Sequence, residues 1–451
     1  MKVKKNPNYT IAKEHYSGEV YATSYEIIGG KDVMPLITWS GPFDCMATDE
    51  FYKEFKELGL NVFVSMPTYL EHKEATLKHL ALAEKYNIAG FVPYSEKYFP
   101  VNREQLIEVH KACQQYKSFV GMTHRDELIY GDIWEKYVPI IRMFEQTEFS
   151  EKYEYYFNAN PIWSKVLGEQ FFGGHSYRTY LKSYVCDKGL RCKMLCSDMY
   201  PFVGDDDLLV HNYFKQLAVQ RDVAYKYKVP FWMYVQCGTI TERNLSETTG
   251  SEAAFRWNVN VALAFGAKGI AYFTLTYSRF GKNGWIDLRK KHGKDCEYAD
   301  KHADGTQAAI YNEFDNLSHN RWYDYVVNIN KHIQAIDEIL MNSYHAGIIV
   351  YGKSPYRPVK LGKIEGTSWY ELKEIKGKAN LLIGCFEYKG KTTLYVVNNS
   401  YKLLDDEEQA VLVFDDTYQY QIIQRATERF EVGNELSLKL QGGEGVLITL
   451  Q

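Results

Sequence analysis

The stretch EAAFRWNVNVALAFGAKGIAYFT, residues 252–274, decides how the chain is read. Glu252–Phe265 has the apolar spacing of a helix, and Gly266 is a typical helix-stop residue. Gly269–Thr274 follows at once as a short, apolar, β-rich run. A helix and a strand separated by so few residues form one half of a repeating unit.

The unit recurs through the first three quarters of the chain, about every 27–40 residues. Strands are expected at Val33–Trp39, Asn61–Met66, Ala89–Tyr94, Phe119–Thr123, Tyr155–Asn160, Lys193–Tyr200, Phe231–Gln236 and Gly269–Thr274. Helices are expected over Asp49–Leu58, stopped by Gly59, and over His72–Tyr86, Leu208–Tyr227 and Trp322–Met341. A further helix, Arg103–Tyr116, is preceded by Asn102 as N-cap with Gln105 three residues on. Eight strand–helix units predict an α/β fold of the (β/α)8 TIM-barrel type. A doubly wound open sheet usually has fewer strands. No GxGxxG follows the first strand, and Gly29-Gly30 precede it, so a nucleotide-binding version loses support.

After about residue 345 the pattern changes. Ile348–Tyr351, Leu381–Tyr388, Thr392–Asn398, Ala410–Phe414, Gln419–Ile423 and Gly445–Leu450 read as short strands, with Lys389-Gly390-Lys391 as a hairpin turn. The expected division is a barrel over 1–345 and a small antiparallel β-sandwich over 346–451. The first 30 residues are expected to cover the bottom of the barrel.

The 451 residues are 45% hydrophobic and 24% charged, which is ordinary for a soluble globular protein. A net charge of −4 argues against a nucleic-acid partner held by a basic surface. No apolar run approaches the roughly 20 residues that span a bilayer, so no membrane partner is expected. The eight cysteines form no CxxC pair, and Cys186, Cys192 and Cys196 fit no zinc spacing. Neither a metal nor a cofactor is expected. Free thiols and the polar Met1–Thr10 favour the cytoplasm; a secreted chain whose signal peptide has been removed looks the same. A homo-oligomer is left open. Aromatics make up 15%, with 38 Tyr, 23 Phe and 8 Trp. Such residues stack on sugar rings and bond their hydroxyls, although a Tyr-rich composition bias is the plainer reading.

In a TIM barrel the active site lies at the C-terminal ends of the strands. Those ends carry Trp39, Thr68-Tyr69, His124-Arg125-Asp126-Glu127, Asn158-Ala159-Asn160, Ser197-Asp198-Met199-Tyr200, Gln236 and Thr276-Tyr277. Aromatics, amides and carboxylates thus meet at one rim, as a polyhydroxylated ligand requires.

The order of these motifs resembles the TIM-barrel glycoside hydrolases of clan A type with a small C-terminal β-sandwich. The resemblance rests on Asp126-Glu127 after strand four, on Ser197-Asp198-Met199-Tyr200-Pro201 after strand six, and on Arg256–Phe273 as seventh helix and eighth strand. Residues 442–447 are similar to the last sandwich hairpin. It implies a glycosidase acting on a saccharide, with Glu127 as proton donor and Asp126 in a place usually held by Asn. The clan's nucleophile, a Glu ending strand seven, is matched here by Gln236. A neutral amide can neither attack an anomeric carbon nor stabilise an oxocarbenium ion by charge. Asp198 is then the second carboxylate, since other barrel glycosidases pair acids from strands four and six. Trp39, Tyr69, His124, Asp126, Asn158, Tyr200, Gln236 and Tyr277 are the expected substrate contacts.

Plainer roles exist for each. Asp126 or Glu127 could start the next helix, where negative charge is favoured. Asp198 could form an ion pair, and His124 and the aromatics could be ordinary packing. Asp205-Asp206-Asp207 reads as a helix-start cluster rather than a calcium loop. Gln236 also fits a carbohydrate-binding barrel without catalysis. A lyase, isomerase or Schiff-base aldolase wants a lysine or metal cluster that the strand ends do not offer.

Overall fold

The computed structural model describes residues 18–39, 41–65, 67–95, 102–123, 126–162, 165–202, 207–237, 251–275, 310–311, 319, 321–352, 365–366, 371–401 and 406–451. Nine short parallel strands form its first sheet: β1 (Leu36–Thr38), β2 (Val62–Val64), β3 (Ala89–Pro93), β4 (Phe119–Thr123), β5 (Glu154–Tyr156), β6 (Asn158–Ala159), β7 (Leu195–Asp198), β8 (Phe231–Gln236) and β9 (Ile270–Phe273). Their order is β5-β4-β3-β2-β1-β9-β8-β7-β6. β5 bonds to β4 and β6 bonds to β7, and only Phe157 separates the two. They are one expected strand broken at a single residue, so the sheet closes into an eight-membered barrel. β1 meets β9 in register Ile37 to Ala271.

The barrel interior holds Ile37, Val62, Val64, Ala89, Phe91, Tyr156, Cys196, Trp232, Tyr234 and Ala271. Alternate residues of each strand supply it, as the two-residue period demands. Tyr25 closes the floor. Its ring meets Phe91 and Trp232 edge-on, and its hydroxyl donates to Glu154 at the start of β5, 2.8 Å away.

The expected helices are present: α1 (Asp49–Glu57), α2 (Lys73–Lys85), α3 (Arg103–Cys113), and three further helices described below. Gly59 ends the α1 turn at φ 79°, a conformation that costs an L residue energy. Asn102 and Gln105 form the expected reciprocal cap of α3. Among the described residues, three helices of eight or more residues escaped the sequence reading: α4 (Val138–Glu145), α5 (Lys165–Phe172) and α6 (Tyr177–Val185). They precede α7 (Asp207–Lys226), α8 (Glu252–Ala264) and α9 (Arg321–Met341). Among the described residues no helix is long and apolar enough to cross a membrane.

The second sheet is antiparallel apart from one short pair. It contains β10 (Ser343–Tyr351), β11 (Glu365–Gly366), β12 (Leu372–Gly377), β13 (Leu381–Tyr388), β14 (Lys391–Asn398), β15 (Glu408–Gln424), β16 (Thr427–Leu440) and β17 (Gly445–Leu450). The two strands expected at 410–414 and 419–423 are one long strand, β15, with an irregularity between Val413 and Tyr418. One half of β15 pairs with β12 and the other with β17. One continuous sheet therefore wraps a single apolar core. Lys389 and Gly390 both have positive φ between paired Tyr388 and Lys391, the signature of a two-residue hairpin turn.

α8, within the stretch that opened the reading, joins the two sheets. Every α8 residue except Glu252 and Arg256 is buried. Trp257 Nε1 donates to Asn399 Oδ1 at 2.8 Å, Tyr395 OH donates to Asn260 Oδ1 at 2.7 Å, and Asn260 Nδ2 donates to the Gly443 carbonyl at 2.8 Å. Its lack of a polar face follows from packing against the barrel on one side and β13, β14 and β17 on the other.

Candidate active site

Asp126 and Glu127 stand three and four residues beyond the end of β4, and Asp198 is the last residue of β7. β6 lies between them, pairs with β7 and carries Asn158. These three elements bring three carboxyl groups together at the C-terminal rim. The Glu127 and Asp198 carboxyls lie close enough to shift each other's ionisation. Asn158 Nδ2 donates to Asp198 Oδ1 at 3.0 Å, and the same amide stabilises the charged form of Asp126.

The backbone under Glu127 is fixed from several sides. Its N–H donates to the Asn158 carbonyl at 3.0 Å. Asn160 Nδ2 donates to the Glu127 carbonyl at 2.9 Å, and Tyr180 OH on α6 donates to the Leu128 carbonyl at 2.7 Å. Glu127 has φ 49°, a left-handed conformation disfavoured for a residue with a Cβ. Such strain persists where the surroundings over-determine it, and it clusters at functional sites. Asp198 is held from α7: Gln216 Nε2 donates to its carbonyl at 2.7 Å and to Ser197 Oγ at 2.9 Å.

Electrostatics follow from this packing. Asp198 is 3% exposed, and burial, then the charges of Glu127 and Asp126, push its pKa well above the usual carboxylate range. Burial and the Asp126 charge raise Glu127 to about 7, opposed by the hydrogen bond to Asp198. Burial raises Asp126 to about 6, opposed by the Asn158 amide and the Glu127 N–H. Three facing carboxyls in a partly dry pocket cannot all be charged at neutral pH, so they titrate as one coupled set. Asp126 Oδ1 and Asn158 Oδ1 are buried and find no donor among the described residues.

Tyr200 lies beside this cluster, its phenol pKa raised by burial and then by Asp198, Asp126 and Glu127, with its ring 4.9 Å from Phe273. Trp39 is half-buried above the interior, edge-on to Tyr234 at 6.3 Å. Thus Asp126, Glu127, Asn158, Asp198 and Tyr200 are brought together, with Trp39 at the mouth. Gln236 is placed differently from the expected sugar contact. Its Nε2 donates to the Phe202 carbonyl and its Oε1 accepts from the Phe202 N–H, both at 3.0 Å. A side-chain amide matches a peptide group in both directions, so Gln236 clamps the loop after β7. Tyr69 is 1% exposed and packs in the layer between sheet and helices, its ring 5.4 Å from the Lys73 ammonium. His124 and Tyr277 lie outside the described residues, as do Asp205 and Asp206. Among the described residues no group of three or more His, Cys, Asp or Glu is arranged to hold a metal ion.

Sequence reasoning put Asn160 at the rim without a role and missed its companions in the supporting shell, Tyr180 and Gln216. One signal was available: Gln216 and Gln220 lie four apart in an apolar helix, where a buried polar residue needs a partner.

No protein-family model matches the chain, and no curated protein matches it. Solved structures do resemble it. An arabinose-bound variant of a β-L-arabinopyranosidase from Geobacillus stearothermophilus aligns over 99% of both chains, with 9% identity and a TM-score of 0.48. An α-amylase from Anoxybacillus covers 93% of this chain and 98% of its own, with 9% identity and a TM-score of 0.49. A putative α-galactosidase from Bacteroides fragilis covers 93% and 78%, with 8% identity and a TM-score of 0.48. Identities this low leave the chemistry to be read from this chain's own residues.

Proposed function

We propose that the chain is a glycoside hydrolase in which Asp198 is the proton donor and Glu127 the partner carboxylate. The observation that carries the reading is the pair of adjoining carboxyls, Glu127 and the buried Asp198, at the barrel rim. Glycosidases need one neutral carboxylic acid and one charged carboxylate on either side of the scissile bond. A pair sharing one proton meets that need at neutral pH.

The roles are exchanged relative to the sequence reading. Asp198 is the more deeply buried and faces two other carboxyls, so it keeps the proton. Glu127, the less strongly raised of the two, carries the charge. In the first step a Glu127 oxygen bonds to the anomeric carbon while Asp198 gives its proton to the departing oxygen. In the second, water attacks the same carbon, Asp198 takes back a proton, and Glu127 leaves. With Glu127 as nucleophile the anomeric centre is inverted twice, so retention is expected. Asp126 Oδ1 and Asn158 Oδ1 supply acceptors for sugar hydroxyls, and Tyr200 and Trp39 supply ring faces.

A panel of nitrophenyl glycosides tests this. Glu127→Gln should lose turnover on every member. Asp198→Asn should lose it on poor leaving groups but keep much of it on dinitrophenyl glycosides, whose leaving group needs no proton. Proton NMR of the first-formed anomer reads the stereochemistry. Saccharide binding by calorimetry with no product after long incubation would leave the non-catalytic barrel as the answer.

A further inference from the structure

We infer that the outer edge of β16 is a homodimer interface, in which two copies pair antiparallel about a two-fold axis centred on Phe430. β16 is 14 residues long, pairs with β15 along its length and has no other described strand as a partner. A free edge of that length is a template for another strand. Phe430 is 56% exposed and Val432 is 73% exposed, the two most exposed large apolar side chains among the described residues. They are two apart in one strand, opposite Gln421 and Gln419 of β15, and so share a face. Arg429 and Glu431 share the other face, where Arg429 Nε donates to Glu431 Oε1 at 2.9 Å.

The charges choose the occupant and the register. A strand edge guarded against association usually carries charges that repel a second copy. Here the order is Glu428, Arg429, Phe430, Glu431, Val432. Centring a two-fold on Phe430 sets Phe430 against its own copy and Arg429 against Glu431 of the partner subunit, twice. Centring it on Arg429 sets like cations together, and centring it on Glu431 sets like anions together. Opposite charges and paired aromatics directly across an antiparallel ladder are favourable, and like charges are not. Of these three registers only the one centred on Phe430 is complementary in charge, and a second copy of this chain fits the edge in it.

Sedimentation velocity on the full chain tests the inference. The expected result is a species of twice the chain mass that dissociates on dilution. Phe430→Asp should give monomer. Arg429→Glu should raise the dimer Kd at least about tenfold, since both symmetry-related pairs become like-charged. Arg429→Glu with Glu431→Arg should bring the Kd back towards the original value. Phe430→Cys should form a disulfide-linked dimer under diamide, whereas Val432→Cys, which faces Glu428 of the partner in this register, should form far less. All these side chains are at least partly exposed, so the variants should fold, and circular dichroism checks that. A wild-type chain that stays monomeric at every concentration overturns the inference, as does a dimer indifferent to Phe430→Asp or weaker in the charge-swapped double variant than in Arg429→Glu.

Discussion

The floor and the rim of the same barrel each bury carboxyl groups, and they treat them in opposite ways. At the floor, Glu154 accepts a hydrogen bond from Tyr25 at 2.8 Å, and the Lys193 charge favours its ionised form. It is an acid given a donor and a cation, and it ties the N-terminal segment to β5. At the rim, Asp126, Glu127 and Asp198 are turned towards one another, and for Glu127 and Asp198 the like charges add to the rise that burial causes. Burial alone raises an acid's pKa in both places. What separates a fastening from a reacting group is whether the neighbours satisfy the charge or contest it.

The sharpest test compares amide substitutions at the two ends. Glu127→Gln and Asp198→Asn should each lower kcat on an unactivated glycoside by about 10³-fold, the range spanned by losing a general acid or a nucleophile. Glu154→Gln should leave kcat within about twofold. Equal losses at both ends would erase the distinction. The pH profile sharpens it. Activity needs Glu127 charged and Asp198 neutral, so kcat/KM should rise as pH climbs through about 7. It should fall again where Asp198, whose pKa is raised further, loses its proton. Asp198→Asn, assayed on a dinitrophenyl glycoside, should lose the alkaline limb and keep the acid one.

A smaller effect is expected one layer out. Tyr180 reaches the acids only through the Leu128 carbonyl and Asn160, whose N–H donates to its oxygen at 3.0 Å. Tyr180→Phe should lower kcat about tenfold with KM little changed, because a displaced Glu127 mispositions the reaction more than it weakens binding. A structural defect alone would move both, or neither.

Much of this was legible before any coordinates. The eight strands could be found because each is a short apolar run, and most are set off by a helix with its own stop, as at Gly59 and Gly266. Once the strands were numbered, the strand-end rule put Asp126, Glu127, Asn158 and Asp198 on one rim. Three things were not legible. Tyr177–Val185 carries four polar or charged residues among its aromatics, and only the Ser176 cap marks it as a helix. β16 is absent from the expected strands because an edge strand with one core-facing half lacks a clean alternation. Gln236 looked like a sugar contact because its position matched a nucleophile's. Its partner, the backbone of Phe202, carries no signal in residue type. Side chains that bond to backbone are silent in a sequence, and the site's supporting shell is built largely of them.

The mildest test is thermodynamic and turns on sign. The Glu127 pKa rises from the ordinary 4.5 to about 7 in the folded protein. Between those values the folded state holds more protons than the unfolded one, so stability falls as pH rises from about 4.5 to about 7 and does not recover above it. Gln does not titrate, so Glu127→Gln should flatten that decline and raise stability at pH 8 by about 1 kcal/mol, discounted because the residue is only partly buried. The inactive enzyme should be the more stable one, as expected where like charges are held together for function. The floor should answer with the opposite sign. Tyr25→Phe removes the hydroxyl that serves Glu154 and should lower stability by about 1 kcal/mol, more at pH 8 than at pH 4, because a charged carboxylate loses more than a neutral one when its donor goes. Thermal unfolding of both variants across that range decides it, and two shifts of the same sign would mean that floor and rim hold their acids for the same purpose.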